Sequence, residues 1–228
     1  MFLVKPSFEI LSMDVNALER IEVAGRTCDK SEVKMTSDSS LKFAESLLIR
    51  GHLSVIEHAS AMVRFVVDRG VSHELVRHRL CAFSQESTRY CNYKGGVTFV
   101  IPSWIGVLEV GERNGEEVLR DWKVYLKGPT SLWVLSMARA EREYLDLLGM
   151  HWTPQQARSV LPNSLKTEIV VTANMREWRH IFDLRASKAA HPQMQEIMKP
   201  LLHEFAHRIP VLFGDIAGRV LEEERCQS

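Results

Sequence analysis

The chain has 228 residues, 45% hydrophobic and 25% charged, with a formal net charge of zero. That length supports one sizeable core, the composition is that of an ordinary soluble globular protein, and the neutral balance argues against general nucleic-acid binding, for which a basic domain is expected. Any anion site must come from local clustering of charge. No apolar run approaches the roughly 18 residues of a membrane span. The opening MFLVKPSFEILSMD lacks the charged, apolar, small-residue order of a signal peptide.

In chain order, FEILSMD reads as a first strand. DVNALERIEVAG reads as a helix with Asp14 as its N-cap and Gly25 past its end. SDSSLKFAESLLIRG repeats that design and closes at Gly51. ASAMVRFVVDRG alternates and is rich in β-formers, so it predicts a strand ending at Gly70. VSHELVRHRLCAF predicts a helix from a Ser72 cap, and VTFVIP a short strand stopped by Pro102. GERNGEEVLRDWKVYLKGP and TSLWVLSMARAEREYLDLLG predict two more helices, the second ending at Gly149. TPQQARSVLP opens with Thr153 as cap and Pro154 in the first turn. TEIVVTANM predicts a buried strand. REWRHIFDLR and HPQMQEIMKPLLHEFAHRI predict helices, the latter with a bend expected at Pro200. No repeat, low-complexity stretch or linker interrupts the series. The expected architecture is a single mixed α/β domain over residues 1–228, helix-rich with a small sheet.

Cys28, Cys81, Cys91 and Cys226 form no CxxC pair and are too sparse for a disulfide scaffold, which fits free thiols in a reducing cytoplasm. There is no GxGxxG, GxxxxGK[ST] or GxSxG, so phosphate must be held by side chains and helix N-termini. HEFAH, with His203, Glu204 and His207, has the zincin spacing: two imidazoles at i and i+4 with a glutamate as base. A zinc peptidase is therefore the alternative function. It lacks an evident third ligand, because Pro210 and Phe213 stand where the extended motif needs Gly and His. An amphipathic helix with two histidines on its polar side explains the same letters.

The densest polar stretch is RHRLCAFSQESTRY, residues 77–90. Arg77, Arg79 and Arg89 offer planar forks for phosphate or a carbonyl edge. Ser84, Gln85, Ser87 and Thr88 add directional donors, and Tyr90 and Tyr93 follow. A nucleotide site and a solvated charged face both remain open on these residues alone.

This stretch resembles the RHRxxSxNxxSxRY signature of the flavin-dependent thymidylate synthases. Arg77, His78, Arg79, Ser87, Arg89 and Tyr90 match; Ala82 replaces the signature's first Ser, and Ser84 its Asn. GHLSVIEH (51–58) resembles the family's GHxSxxEH segment, and ARSVLP and NMREWRHIFDLR resemble its C-terminal motifs in the same order. The resemblance covers roughly residues 51–90 and 155–196.

It implies the family's α/β fold and reductive methylation of dUMP to dTMP. Methylenetetrahydrofolate would donate the carbon, and FAD, reduced by NADPH, the hydride. It also implies a cytoplasmic homotetramer with sites shared between subunits. Among site residues, it implies that Ser54, Arg77, His78, Arg79, Gln85, Asn174, Arg176 and His180 contact FAD. Glu74, Arg77, Gln85, Glu86, Ser87, Thr88, Arg89, Arg158 and Arg185 would contact dUMP, and His52 would lie toward the folate. His180 replaces an Asn of some relatives and can still donate or accept. Arg185 is the expected catalytic residue, its guanidinium favouring negative charge on the pyrimidine. Its competing reading is a helix-end arginine paired with Asp183 or solvent. No metal ligand is implied, and Cys81 and Cys91, on positions the signature leaves free, read as structural.

Overall fold

Short apolar strands and amphipathic helices alternate along the chain and gather into two sets. The computed structural model describes residues 1–106, 111–120 and 128–226. One unit comprises Met1–Ser7, Val66–Leu75 and Ser84–Ile169; the other comprises Phe8–Phe65, Val76–Phe83 and Val170–Ser228.

In the first unit, β1 (Phe2–Val4) lies between β5 (Thr98–Val100), parallel to it, and β6 (Gly111–Glu112), antiparallel. The register sets Leu3 opposite Phe99, and both are fully buried. Against this sheet lies the apolar face of α5 (Pro129–Gly149), whose buried Val134, Leu135, Ala138 and Tyr144 recur at helical spacing. The short α4 (Gly115–Arg120) adds Val118 to the same core. At α6 (Pro154–Ala157), Pro154 occupies the first turn, and the Gln156 side chain accepts the Thr153 N–H at 2.9 Å. Residues 121–127 of the predicted DWKVYLK helix lie outside the described residues.

The second unit is mainly helical: α1 (Ala17–Asp29), α2 (Ser39–Ile49), α7 (Met175–Arg185), α8 (Pro192–Arg208) and α9 (Pro210–Arg225). Its core is aromatic. Phe205 stands 5.2 Å from the Trp178 ring, 5.1 Å from Phe182 and 5.1 Å from Phe213, and all four side chains are fully buried. These tilted and edge-to-face contacts suit ring quadrupoles. The Trp178 indole N–H donates to the Ala61 carbonyl at 3.1 Å, so the largest buried ring leaves no donor unsatisfied. A four-stranded sheet has the order β2 (Ser7–Met13), β3 (Ser60–Asp68), β7 (Lys166–Asn174), β4 (Ala82–Gln85). All four of these strands have residues in both units.

Most predicted elements are present, and the differences have physical causes. Helix α1 runs past Gly25 to Asp29 with Asn16 as its cap residue. Gly25 is an interior glycine, because a Cβ there would lie 2.5 Å from the Phe43 ring. The helix predicted over 71–83 is a short α3 (Arg69–Leu75), opened by Asp68, whose Oδ1 accepts the Val71 N–H at 2.7 Å. Ser72 is buried inside it and is not the cap. Residues 76–81 form turns, and Ala82–Gln85 are strand. Helix α8 runs unbroken through Pro200. Strands β1 and β6 and helix α9 had no counterpart in the sequence reading. Among the described residues no helix is long and apolar enough to cross a membrane.

Phe205→Ala is expected to destabilise the protein by about 3–5 kcal/mol, read as a lower midpoint in urea-induced unfolding followed by far-ultraviolet circular dichroism. A loss below about 1 kcal/mol would show that the four-ring cluster collapses around the gap.

Candidate functional site

In the second unit, α7 carries most of the chemistry. Asn174 caps it, its side chain accepting the Glu177 N–H at 2.8 Å. Met175, Trp178, Ile181 and Phe182 face the core, so Arg176 and His180 are left on the exposed face. Asn174, Arg176 and His180 line an open cleft of about 640 Å³, together with Leu53, Glu57 and Leu80. That is the size class of a small-molecule site. Arg176 pairs with Glu57 at 2.7 Å, an exposed pair worth little to stability. Ser54 is exposed on the 3₁₀ turn Leu53–His58, whose Leu53 and Glu57 reach the cleft. Arg77 and Arg79 are exposed on either side of the buried His78.

The two motifs meet at His78. Arg185 Nε donates to His78 Nε2 at 3.0 Å, across 107 positions of sequence. Asp183, the alternative partner for Arg185, is bound by Arg219. His180 meets the His78 ring edge-on at 5.7 Å. Burial, reinforced by Arg185 and His180, lowers the His78 pKa to about 4, so this imidazole is neutral at physiological pH. Glu177 Oε1 lies 3.5 Å from His78 Nδ1, and burial raises its carboxyl against the pull of His180 and Arg176.

In the first unit, the polar loop after β4 is tied down by its side chains. Gln85 Nε2 donates to Ser72 Oγ at 2.9 Å and to Thr167 Oγ1 at 3.2 Å. The Glu86 carboxylate accepts the Tyr93 hydroxyl at 2.8 Å, Lys166 Nζ at 2.9 Å and the Glu168 N–H at 3.2 Å. Burial and this carboxylate hold Tyr93 protonated well above the usual tyrosine range. Ser87 turns the chain: its carbonyl accepts the Tyr90 and Cys91 N–H groups, and its Oγ the Arg89 N–H at 3.3 Å. Thr88 is buried, and its Oγ1 accepts a hydrogen bond from Arg158 Nη1 at 2.8 Å, which brings Arg158 to the loop. The exposed Arg89 lies over the Tyr90 ring. Glu74 is half-buried on α3.

The zincin letters are placed otherwise. His203 and His207 are exposed on α8, and Glu204 is paired with Arg208 at 2.8 Å. Among the described residues, the one cluster of three possible metal donors is His78, Glu177 and His180. There the Arg185 N–H occupies the Nε2 lone pair of neutral His78, which puts the ring proton on Nδ1. His78 therefore has no lone pair left for a cation.

Glu177 and Lys166 are not among the sequence candidates, and Tyr93 is named there only as an aromatic that follows the polar stretch. Glu177 stands in the first turn of α7, where a helix dipole favours any acid, and Lys166 is the first residue of β7. Nothing in their spacing announces burial or a shared partner.

Comparison with known proteins agrees with this picture. Residues 9–211 match the family model described as thymidylate synthase complementing protein. A flavin-dependent thymidylate synthase of Mycobacterium sp. (strain KMS) is 33% identical over 198 residues, spanning 86% of this chain and 78% of that one. The enzyme of that name from Corynebacterium glutamicum is 31% identical over 223 residues, spanning 93% and 85%. Among solved structures, the UMP/dUMP methylase PolB from Streptomyces cacaoi superposes with a TM-score of 0.72 at 22% identity, over 94% of this chain and 96% of that one. Thymidylate synthase X from Helicobacter pylori, with FAD and dUMP, gives 0.70 at 22% identity, over 93% and 99%. At that identity the structures establish the fold, which is the one expected. The chain belongs to the thymidylate synthase complementing protein family, to which the flavin-dependent thymidylate synthases belong.

Proposed function

We propose that this protein is a flavin-dependent thymidylate synthase that methylates dUMP reductively to dTMP. The observation that carries the reading is the 3.0 Å bond from Arg185 to His78, which joins the NMREWRHIFDLR segment to the RHR triplet beside a cleft of ligand size. The family match runs from residue 9 to residue 211 through both compact units, which supports treating the chain as one functional domain.

The cleft suits FAD: Arg176 and His180 offer donors to a pyrophosphate, Asn174 an amide, and Leu53 and Leu80 an apolar wall. Arg77, Arg79 and Ser54, exposed around it, complete the proposed flavin contacts, and His78 backs them from the interior. When bound, FAD reduced by NADPH supplies hydride, and methylenetetrahydrofolate supplies the one-carbon unit. For dUMP, the proposed phosphate partners are Ser87, Arg89 and Arg158, with Thr88 orienting Arg158. Gln85 and Glu86, whose side chains are turned into the first unit, act through the loop conformation they fix. Glu74 and Arg77 are further nucleotide contacts. Arg185, held by a neutral imidazole, is the group that stabilises negative charge developing on the pyrimidine. Ligand residues on separated segments suit a homotetramer whose sites draw on more than one subunit, in a cytoplasmic setting where the four cysteines stay as thiols.

Purified protein is expected to be yellow, with flavin absorbance and no stoichiometric zinc. Colourless, zinc-loaded protein would overturn the assignment. Arg185→Ala should lower kcat by about 10²–10³-fold while FAD stays bound, measured as tritium release from dUMP labelled at C5; an undiminished rate would remove Arg185 from the chemistry. Ser87→Ala should raise KM for dUMP and leave measurable turnover. Complete loss of turnover with dUMP still bound would make Ser87 a nucleophile.

A further inference from the structure

We propose that Glu177 is a positioning residue, whose buried carboxylate selects the His78 tautomer that holds Arg185 in place. The inference rests on the reading of Arg185 as the group that polarises the pyrimidine. It begins from hydrogen-bond inventory. A guanidinium has donors only, so the Arg185 Nε–H at 3.0 Å requires an unprotonated Nε2 on His78. His78 is neutral, with its pKa lowered to about 4 by burial and by Arg185 and His180. Its single ring proton must therefore sit on Nδ1.

The other tautomer would set the Nε2–H against the Arg185 N–H, and the pair would come apart. Something must make the Nδ1–H form the stable one inside the protein. Glu177 does so: its Oε1 stands 3.5 Å from Nδ1, longer than a tight hydrogen bond but with the charge on the correct side of the ring. His78 is 5% exposed and Glu177 6%, so little solvent screens the attraction.

The carboxylate is also held in place. The Glu177 backbone N–H is anchored to the Asn174 side chain at 2.8 Å in the first turn of α7. The Trp178 and Phe182 rings bury the neighbouring face of the same helix. His180 and Arg176 lie near the carboxylate on the cleft side, and Cys81, its thiol pushed up to about 12 by burial and by Glu177, stays uncharged beside it. The chain of influence is carboxylate, imidazole, guanidinium: an acceptor, a ring that can serve one donor at a time, and an obligate donor. An ordinary first-turn acid would stabilise α7 through the helix dipole and leave the imidazole tautomer unaffected.

The test uses the flavin-loaded protein labelled with ¹⁵N-histidine. Long-range ¹H–¹⁵N correlation of the imidazoles reads the tautomers, and His78→Gln assigns the resonance. Wild type should show His78 as the Nδ1–H form. Glu177→Leu, which removes the acceptor at similar volume, should convert it to the Nε2–H form. The same change should lower kcat about 10–100-fold, with KM for dUMP and flavin retention within about twofold. Glu177→Gln keeps an acceptor oxygen and should keep the Nδ1–H form and most of kcat. An Nε2–H tautomer in wild type overturns the proposal without any variant. So does an unchanged tautomer in Glu177→Leu, or loss of flavin in step with kcat, which would make Glu177 a flavin contact. Wild-type protein that binds flavin but releases no tritium overturns the function and this inference with it; turnover with the wrong tautomer overturns the inference alone.

Discussion

Helix α7 must bury an aromatic face and present a polar one within eleven residues, and the second unit is organised around that requirement. Trp178 and Phe182 interlock with Phe205 of α8 and Phe213 of α9, so the helix cannot rotate without opening the core. Arg179, bidentate to Asp215, and Asp183, bound by Arg219, fasten the flanks of the same helix to α9. With rotation excluded, the direction of the remaining side chains follows from the 3.6-residue period. Asn174, Arg176, Glu177 and His180 line the cleft, Glu177 also approaches His78, and Arg185 reaches His78 from the last turn. The polar site is precise because the apolar face behind it is rigid.

The first unit reaches a comparable result by other means. Its ligand-type loop has no helix to set its direction, and fixes itself by spending side-chain hydrogen bonds on the interior. Gln85 is clamped by Ser72 and Thr167, and Glu86 accepts from Tyr93, Lys166 and the β7 backbone. With those two anchored, Ser87 forms a turn and Thr88 receives Arg158. A loop held this way loses little further entropy when it receives an anion. Residues that read as a row of possible ligands therefore differ in what they do: Gln85 and Glu86 are consumed in shaping the loop, the buried Thr88 holds Arg158, and Arg89 is exposed.

Much of this is legible in the sequence. Strands β3 and β7 and helices α2, α5 and α7 followed from period and caps, because each is long enough for its pattern to exceed chance. The missed elements are of two kinds. Strands β1 and β6 have three and two residues, and their partners come from far along the chain, so no local pattern could mark them. Helix α9 carries Gly214 and Gly218, which weaken its helical signal, and it forms because Phe213 and Ile216 complete the aromatic core. Gly25 misled for the opposite reason. A glycine inside a periodic run reads as a stop, whereas here it makes room for Phe43. The site was legible as a set of segments through motif spacing, but not as a network. Partnerships such as Glu177 with His78 or Lys166 with Glu86 are set by tertiary approach, which spacing does not encode.

The two clusters of zinc-type letters show how far residue identity carries a chemical argument. HEFAH has the correct spacing on a helix, yet both imidazoles face solvent and the glutamate is spent on an arginine one turn away. His78, Glu177 and His180 have the proximity that HEFAH lacks, yet the lone pair a cation would need is taken by Arg185. The difference between a metal centre and an arginine clamp is here a single proton on one imidazole. Arg185, which can never be deprotonated in a protein, needs that proton on Nδ1, the side of the ring that faces Glu177. The same logic ties function to burial: were His78 exposed, its pKa would rise toward the ordinary histidine value, a larger fraction would carry a proton on both ring nitrogens, and Arg185 would lose its acceptor in that fraction. Keeping this histidine dry is what keeps the guanidinium in place.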